Sequence, residues 1–182
     1  MSIPSRSSGI LLHPTALPGP GPCGSFGAAA RAWIDLLVAA RVGIWQVLPL
    51  APTDGTGSPY SSPSGSALNP WLIDADDLLA ADLITAADRD ALPCGGAQHR
   101  LDPQLAAQRS AAIAAALGRH WSNQAPATVE RFEQWRLRQS WLEDHCQFMV
   151  LRALQEGRPW WEWPGPLAQR QRRALQQLQQ HH

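Results

Sequence analysis

The segment Gly43–Asp74, GIWQVLPLAPTDGTGSPYSSPSGSALNPWLID, decides how the chain is interpreted. It begins with a short apolar run of strand length, Ile44–Leu50, which is interrupted at Pro49. A loop rich in Gly, Pro and Ser follows, and it contains the only tyrosine of the chain, Tyr60. A strand that leads into a long loop of small residues around one aromatic side chain is typical of the wall of a site in a barrel enzyme.

The residues before this segment predict a parallel βαβ unit. Gly9–His13 is short, apolar and followed by Pro14, which predicts a buried strand that ends in a turn. Gly27–Val42 has the pattern of an amphipathic helix, and Ile44–Leu50 supplies the second strand. Because the right-handed parallel crossover is the default for such a unit, the carboxyl ends of both strands face the same edge. His13 and residues 49–60 are therefore expected at the site edge of a barrel.

The rest of the chain is predicted to be almost entirely helical. Helices are expected at Asp74–Leu83 and, approximately, at Gln104–His120, Thr128–Glu156 and Leu167–Gln180. Two parallel strands leave two open sheet edges, and this predicts that further strands follow His182.

Composition excludes several classes of function. The 15 basic and 15 acidic residues give a formal net charge of +0, so no basic excess favours nucleic-acid binding. All the basic residues are arginines, and the absence of lysine excludes Schiff-base chemistry and a P-loop lysine. The three cysteines, Cys23, Cys94 and Cys146, have no metal-ligand spacing. With no apolar run of membrane-spanning length and no signal-peptide pattern, we expect a soluble, cytoplasmic protein.

Several sequence motifs resemble the start of the 4-α-glucanotransferases (amylomaltases, glycoside hydrolase family 77). The matching motifs are SSGILLHPTALPGP at Ser7–Pro20, IWQVLPLAPT at Ile44–Thr53, SPYSS at Ser58–Ser62, NPWLID at Asn69–Asp74, WLEDHCQFMVLRAL at Trp141–Leu154 and RPWWEWP at Arg158–Pro164. They occur in the family's order, and the resemblance extends over nearly the whole chain.

The resemblance implies an α/β fold, the N-terminal part of a TIM (β/α)8 barrel with its first two strands and a largely helical insertion. Residues 1–74 would form the first βαβ unit, with substrate-facing loops, and residues 75–182 the helical insertion. It also implies transfer of α-1,4-glucan segments to glucose or a maltooligosaccharide by a retaining mechanism, without a metal or organic cofactor. The implied partners are α-1,4-glucans, with no role for nucleic acid or membrane.

The family's three catalytic carboxylates lie on later strands, and no Asp or Glu of this chain matches one of them. The adjacent acids Glu143 and Asp144 point apart on a helix and do not form the facing pair that glycoside chemistry requires. We therefore expect an N-terminal fragment that contributes to the sugar site without carrying the chemistry. A non-catalytic maltooligosaccharide-binding module and a truncated, inactive product are the alternatives.

The resemblance assigns Tyr60 of the SPY motif to the glucan subsites. Ser58 and Pro59, which flank it, and His13, at the end of the first strand, are expected as further substrate contacts. A phenol can lie against a sugar ring while its hydroxyl bonds to a sugar oxygen. The alternative for Tyr60 is to anchor its own loop, and for His13 it is a structural role at the strand end.

Three positions depart from the family pattern. Gly57 stands where many members have an Asp before the SPY motif. Gly55 stands where some members carry a second aromatic glucan contact, so that secondary site is expected to be absent or altered. In the first loop, CGSFG at Cys23–Gly27 places Ser25 at an acidic position of the family.

Overall fold

The two strands form a parallel pair, as the sequence predicts. The computed structural model describes residues 6–95 and 101–181, with the backbone alone at residues 178–181. Strand β1 (Gly9–Leu11) pairs with β2 (Ile44–Gln46), and Ile10 lies opposite Trp45. The expected βαβ unit is confirmed, and most of the remaining described chain is helical.

Both strands are shorter and more exposed than expected. The last ladder bond runs from the Leu12 amide to the Gln46 carbonyl at 3.0 Å. Beyond it the chain turns into a 3₁₀ segment at Pro14–Ala16 after β1, and Pro49 offers no N–H after β2. The expectation of a buried first strand was wrong, because Leu11 is 53% exposed. Its exposure follows from the sheet, which has only these two strands within the described residues.

Helix α1 (Ala28–Ala39) packs on the parallel pair through tryptophans. The rings of Trp33 and Trp45 meet edge to face with centroids 6.5 Å apart. Trp45 Nε1 also donates to the Leu12 carbonyl at 2.7 Å, which ties β2 to the end of β1. Leu37 is buried on the same helix. Trp45 is therefore a packing residue whose indole N–H is satisfied, as a half-buried tryptophan requires.

The next three helices, α2 (Ala75–Ala80), α3 (Ala86–Asp90) and α4 (Pro103–His120), enclose a small apolar core. Its buried members are Ala75, Ile84, Leu92, Ile113 and Ala116. The helices expected near residues 74–83 and 104–120 are confirmed. Helix α3 was not predicted, although the spacing of Thr85 and Asp88 is that of a capping box, which the structure contains.

The chain divides into two compact units, residues 1–133 and 134–182. Helix α5 (Pro126–Leu137) contains this division, and α6 (Leu142–Leu154) lies wholly in the second unit. The prediction of a single helix at about Thr128–Glu156 was wrong. After α5 the Arg138 amide donates to the Trp135 carbonyl at 3.0 Å, and the chain turns before α6 begins. The division expected from the sequence is a different one: it separates a barrel unit from a helical insertion after Asp74. That division stays a prediction.

Within the second unit, the residues after α6 are organised by Trp163. Trp163 is 7% exposed. Its indole N–H donates to the Arg158 carbonyl at 2.8 Å, and its ring lies 5.5 Å from that of Phe148. Two helices follow, α7 (Gly165–Ala168) and α8 (Arg172–His181), where the sequence had indicated one.

Asp88 joins α3 to α4 through its carboxylate. One oxygen accepts the Thr85 amide at 3.0 Å, and His120 Nε2 lies 2.7 Å from the same oxygen. The other oxygen accepts Arg119 Nη2 at 2.6 Å. The hydrogen bond from the Thr85 hydroxyl and the one from the Arg119 guanidinium hold the pKa of Asp88 well below its usual range.

We expect this carboxylate to make stability depend on pH. Because its pKa is lower in the folded state, its contribution is complete above the unfolded pKa of about 4 and is lost as the pH falls through the folded pKa. Asp88→Asn should therefore lower Tm near neutral pH and reduce the steepness of the acid-side fall in Tm. Thermal melts from about pH 2 to about pH 7 check this, with Asp35→Asn on the exposed face of α1 as the matched control. An equally steep acid-side fall in Asp88→Asn and wild type would contradict it.

Candidate functional site

The loops that follow β1 and β2 leave the same edge of the sheet, because the strands are parallel. The first loop occupies residues 12–27 and the second residues 47–69. All four residues predicted to contact substrate lie in these loops. The carboxyl edge of parallel strands is where α/β proteins place ligands, and the substrate contacts expected at this edge stay a prediction.

His13 connects the two loops at their bases. Its Nδ1 accepts the Thr15 amide at 3.4 Å and lies 2.8 Å from the Thr15 hydroxyl oxygen. Its Nε2 lies 3.4 Å from the Pro49 carbonyl. These partners fit the neutral tautomer with the hydrogen on Nε2, which donates to Pro49. Both ring nitrogens are thus used inside the protein, which is the structural role left open for His13.

The second loop is closed at its base by Asn69. The Asn69 amide donates to the Leu50 carbonyl at 2.8 Å, and its side-chain oxygen accepts the Trp71 amide at 3.0 Å. At 3% exposure Asn69 is a buried polar residue with these partners satisfied. The two ends of the loop formed by residues 51–68 are therefore held together at Leu50 and Asn69.

Asp54 organises the tip of this loop. One carboxylate oxygen accepts the Thr56 amide at 2.9 Å and also the Thr56 hydroxyl. The other accepts the Ser61 hydroxyl at 2.6 Å, while the Asp54 amide donates to the Ser61 carbonyl at 3.0 Å. This role of Asp54 was not predicted from the sequence. The available signal was an Asp two residues before a Thr in a Gly-rich loop, which is the pattern of an Asx-turn.

Tyr60 projects from this tip and is 75% exposed. Its amide donates to the Ser58 hydroxyl at 3.4 Å, and the Ser61 amide donates to the Ser58 carbonyl at 3.1 Å. Ser58 and Pro59 are half-buried at the start of the turn. A ring with this exposure does not anchor the loop by burial, and its face is accessible to a ligand.

The two glycines of the tip differ in their surroundings. Gly57 has φ +74°, and a Cβ there would lie 3.0 Å from Leu101 Cδ2 and 3.2 Å from Pro103 Cγ. The left-handed backbone and these neighbours explain why glycine fits here. A Cβ at Gly55 would meet nothing within 4 Å.

Asp74 fixes the first loop from outside it. Its Oδ2 accepts the Ser25 hydroxyl at 2.6 Å, and its Oδ1 accepts the amides of Asp76 and Asp77 at 3.1 and 3.2 Å as the cap of α2. The Phe26 amide also donates to the Leu72 carbonyl at 2.9 Å. Ser25 is thus a structural partner of a carboxylate, and an acidic side chain in its place would face Asp74.

The described residues offer few other reactive groups. Burial raises the pKa of the Cys23 thiol to about 11, which keeps it protonated and unreactive near neutral pH. Glu143 pairs with Arg136 at 3.8 Å and Asp144 with Arg170, so these neighbours point to different arginines as expected. Residues 6–95 and 101–181 contain no group of three or more His, Cys, Asp or Glu arranged to hold a metal ion. None of the described helices is both long and apolar enough to span a membrane.

Comparison with known proteins shows what the chain is similar to. A family model described as 4-alpha-glucanotransferase matches residues 12–182. The 4-alpha-glucanotransferase of Thermus thermophilus is 39% identical over 97% of this chain, and that of Synechocystis sp. is 36% identical over 93%. The solved structure of amylomaltase from Streptococcus agalactiae in complex with acarbose matches 97% of this chain with a TM-score of 0.85 and 29% identity.

These relatives are much longer than the chain. It covers 35% of the Thermus thermophilus protein, 34% of the Synechocystis protein and 36% of the Streptococcus agalactiae chain. The chain therefore spans about a third of the length of the relatives that it matches.

Gly24→Ala should destabilise the first loop, because a Cβ there would lie 2.2 Å from the Pro14 carbonyl oxygen and 2.6 Å from that of Leu17. Backbone atoms cannot yield as a flexible side chain can, so we expect a loss of about 2–3 kcal/mol in the free energy of unfolding. Gly19→Ala, in the same loop and with nothing within 4 Å of the new Cβ, is the control. Urea denaturation measures both variants, and equal midpoints for the two would refute the tight approach at Gly24.

Proposed function

The chain belongs to the family of the 4-alpha-glucanotransferases, and we propose that it forms part of an enzyme that transfers segments of α-1,4-glucan to glucose or a maltooligosaccharide. The match to the family model over residues 12–182 is the observation that carries the proposal. The similar amylomaltase structure holds acarbose, a mimic of maltooligosaccharides, which favours the same class of ligand here.

The proposed reaction is a retaining, two-step transfer. One carboxylate attacks the anomeric carbon while an acid protonates the departing sugar oxygen, which forms a glycosyl-enzyme. A sugar hydroxyl then attacks the anomeric carbon, gives its proton to the same residue acting as a base, and releases the nucleophilic carboxylate. By resemblance, none of these carboxylates corresponds to an Asp or Glu of this chain. The reaction needs neither a metal nor an organic cofactor.

The part proposed for this chain is to bind and orient sugar. The exposed ring of Tyr60 offers a flat apolar face to a pyranose and a hydroxyl to a sugar oxygen. Ser58 and Pro59 shape the turn that carries it, and His13 joins the bases of the two loops. Transfer rather than hydrolysis requires an acceptor sugar held in place and water kept away, and the second loop would contribute to both.

We also propose that β1 and β2 are the first two strands of a (β/α)8 barrel, with a helical insertion after residue 74. The parallel pairing and the loops at one edge support this arrangement. Ile10, Leu11 and Ile44 are exposed at 39%, 53% and 39%. Parallel sheets are normally covered on both faces, so further barrel elements would bury these side chains.

Disproportionation of maltotriose tests the activity. The protein is captured from extracts of its source cells with an antibody against residues 9–74, its intact mass is measured, and it is incubated with maltotriose. We expect glucose and longer maltooligosaccharides, detected by chromatography. Saturable binding of maltoheptaose without products would favour the non-catalytic binding module. The absence of both binding and products would contradict the proposal.

Tyr60→Ala tests the sugar contact. Loss of one aromatic face, worth about 0.5–1.5 kcal/mol, should raise KM for maltotriose roughly 2- to 10-fold. Melting should be unchanged, because the ring is 75% exposed. Ser66→Ala, at an exposed position of the same loop, serves as the control and should leave KM at the wild-type value. A wild-type KM for Tyr60→Ala would rule out a role for this ring in binding.

A further inference from the structure

The SPY turn lies in an exposed loop of small residues, where conformational freedom is high. Fixing the backbone of one residue costs about 1–2 kcal/mol, and a glycine loses more freedom than any other residue. A loop that became ordered only when sugar binds would lose this free energy from its affinity. Something in the free protein must therefore hold the turn if Tyr60 is to bind glucan well.

The carboxylate of Asp54 is the group in the described loop that spans both sides of the turn. It accepts hydrogen bonds from Thr56 before the SPY motif and from Ser61 directly after Tyr60. Hydrogen bonds to an ionised acceptor are stronger than those between neutral groups. The Asp54 amide bonds to the Ser61 carbonyl as well, so the turn is closed by main chain and side chain together.

A second contact orients this closed turn on the protein. The left-handed backbone at Gly57 brings the turn against Leu101 and Pro103, where α4 begins. A residue with a side chain at position 57 would have to adopt φ +74°, and its Cβ would lie 3.0 Å from Leu101 Cδ2. The aspartate that the family pattern places directly before the SPY motif does not fit this backbone without a shift. Three residues earlier, Asp54 supplies a carboxylate to the same turn.

From these contacts we infer that Asp54 is the positioning residue that holds Tyr60 ready for α-1,4-glucan. The inference rests on the proposed function of Tyr60 as a glucan contact. Asp54 itself does not contact the sugar. It acts through Thr56 and Ser61, and it keeps the ring of Tyr60 directed outward before ligand arrives.

Because Tyr60 is the only tyrosine, tyrosine labelled with carbon-13 gives one set of ring signals in NMR spectra of the full chain. Maltoheptaose is titrated into wild type, Asp54→Ala, Asp54→Asn and Ser61→Ala. Asp35→Ala removes the same charge from the exposed face of α1 and is the matched control. The ligand-free spectra report the order of the turn, and the titrations report the dissociation constant.

In Asp54→Ala we expect ring signals that move towards those of a free peptide, with melting close to wild type. If the binding-competent fraction falls to about a tenth, the dissociation constant rises about tenfold. Ser61→Ala should give a smaller effect in the same direction. Asp54→Asn should stay within about threefold of wild type, because its carbonyl oxygen can accept from Thr56 while its amide donates to Ser61. This rescue would separate positioning from a need for negative charge.

The outcomes separate this inference from the proposed function. Equal spectra and equal affinity in Asp54→Ala and wild type would overturn the role of Asp54 and leave the sugar contact standing. Wild-type Tyr60 signals that do not respond to maltoheptaose, while maltotriose is still disproportionated by the captured protein, would overturn both the contact and its positioning. If the Tyr60 signals do not respond to maltoheptaose and the captured protein does not disproportionate maltotriose, the proposed function is overturned as well.

Discussion

The side chain of Asp74 joins the start of α2 to the end of the first loop, which is distant in sequence, and the geometry of that loop depends on it. Its Oδ1 caps α2, and its Oδ2 accepts the hydroxyl of Ser25, which is 49 positions earlier. Gly27, the residue before α1, approaches so closely that a Cβ would lie 2.0 Å from Asp74 Oδ2. One carboxylate thus sets where the first loop ends, where α1 begins and where α2 begins. The small residues at positions 25 and 27 follow from this crowding, whereas Gly24 is fixed by its close approach to the carbonyls of Pro14 and Leu17.

A second carboxylate, that of Asp54, holds the backbone of the second loop through hydrogen bonds, as Asp74 holds the end of the first loop. Both loops leave the same edge of a parallel pair, and His13 links their bases through Pro49. With the backbone held at these points, Tyr60 stands out as a large aromatic side chain that is exposed on the second loop. A glucan ligand would meet an aromatic face whose orientation is set before binding, which lowers the entropic cost of recognition.

Local patterns predicted those elements whose signals lie within a few residues. The βαβ unit followed from two apolar runs around an amphipathic segment, and α4 followed from a long helical stretch near residues 104–120. The break between α5 and α6 was missed because no Gly or Pro marks it. The strands ended earlier than expected because a ladder needs a partner at each position, and the partner's path is not a local property.

The sequence by itself determined the parallel unit, the membership of the 4-alpha-glucanotransferase family and the singular position of Tyr60 in the SPY motif. Only the tertiary structure decided that the Ser25 hydroxyl donates to Asp74 and that both ring nitrogens of His13 have partners within the protein. It also decided that Asp54 closes the turn around Tyr60. Residue types and spacing are local, whereas a hydrogen bond between distant segments exists only where the fold brings the donor and acceptor atoms to within about 3 Å of each other. The path of the folded chain, which no single segment encodes, brings those atoms together.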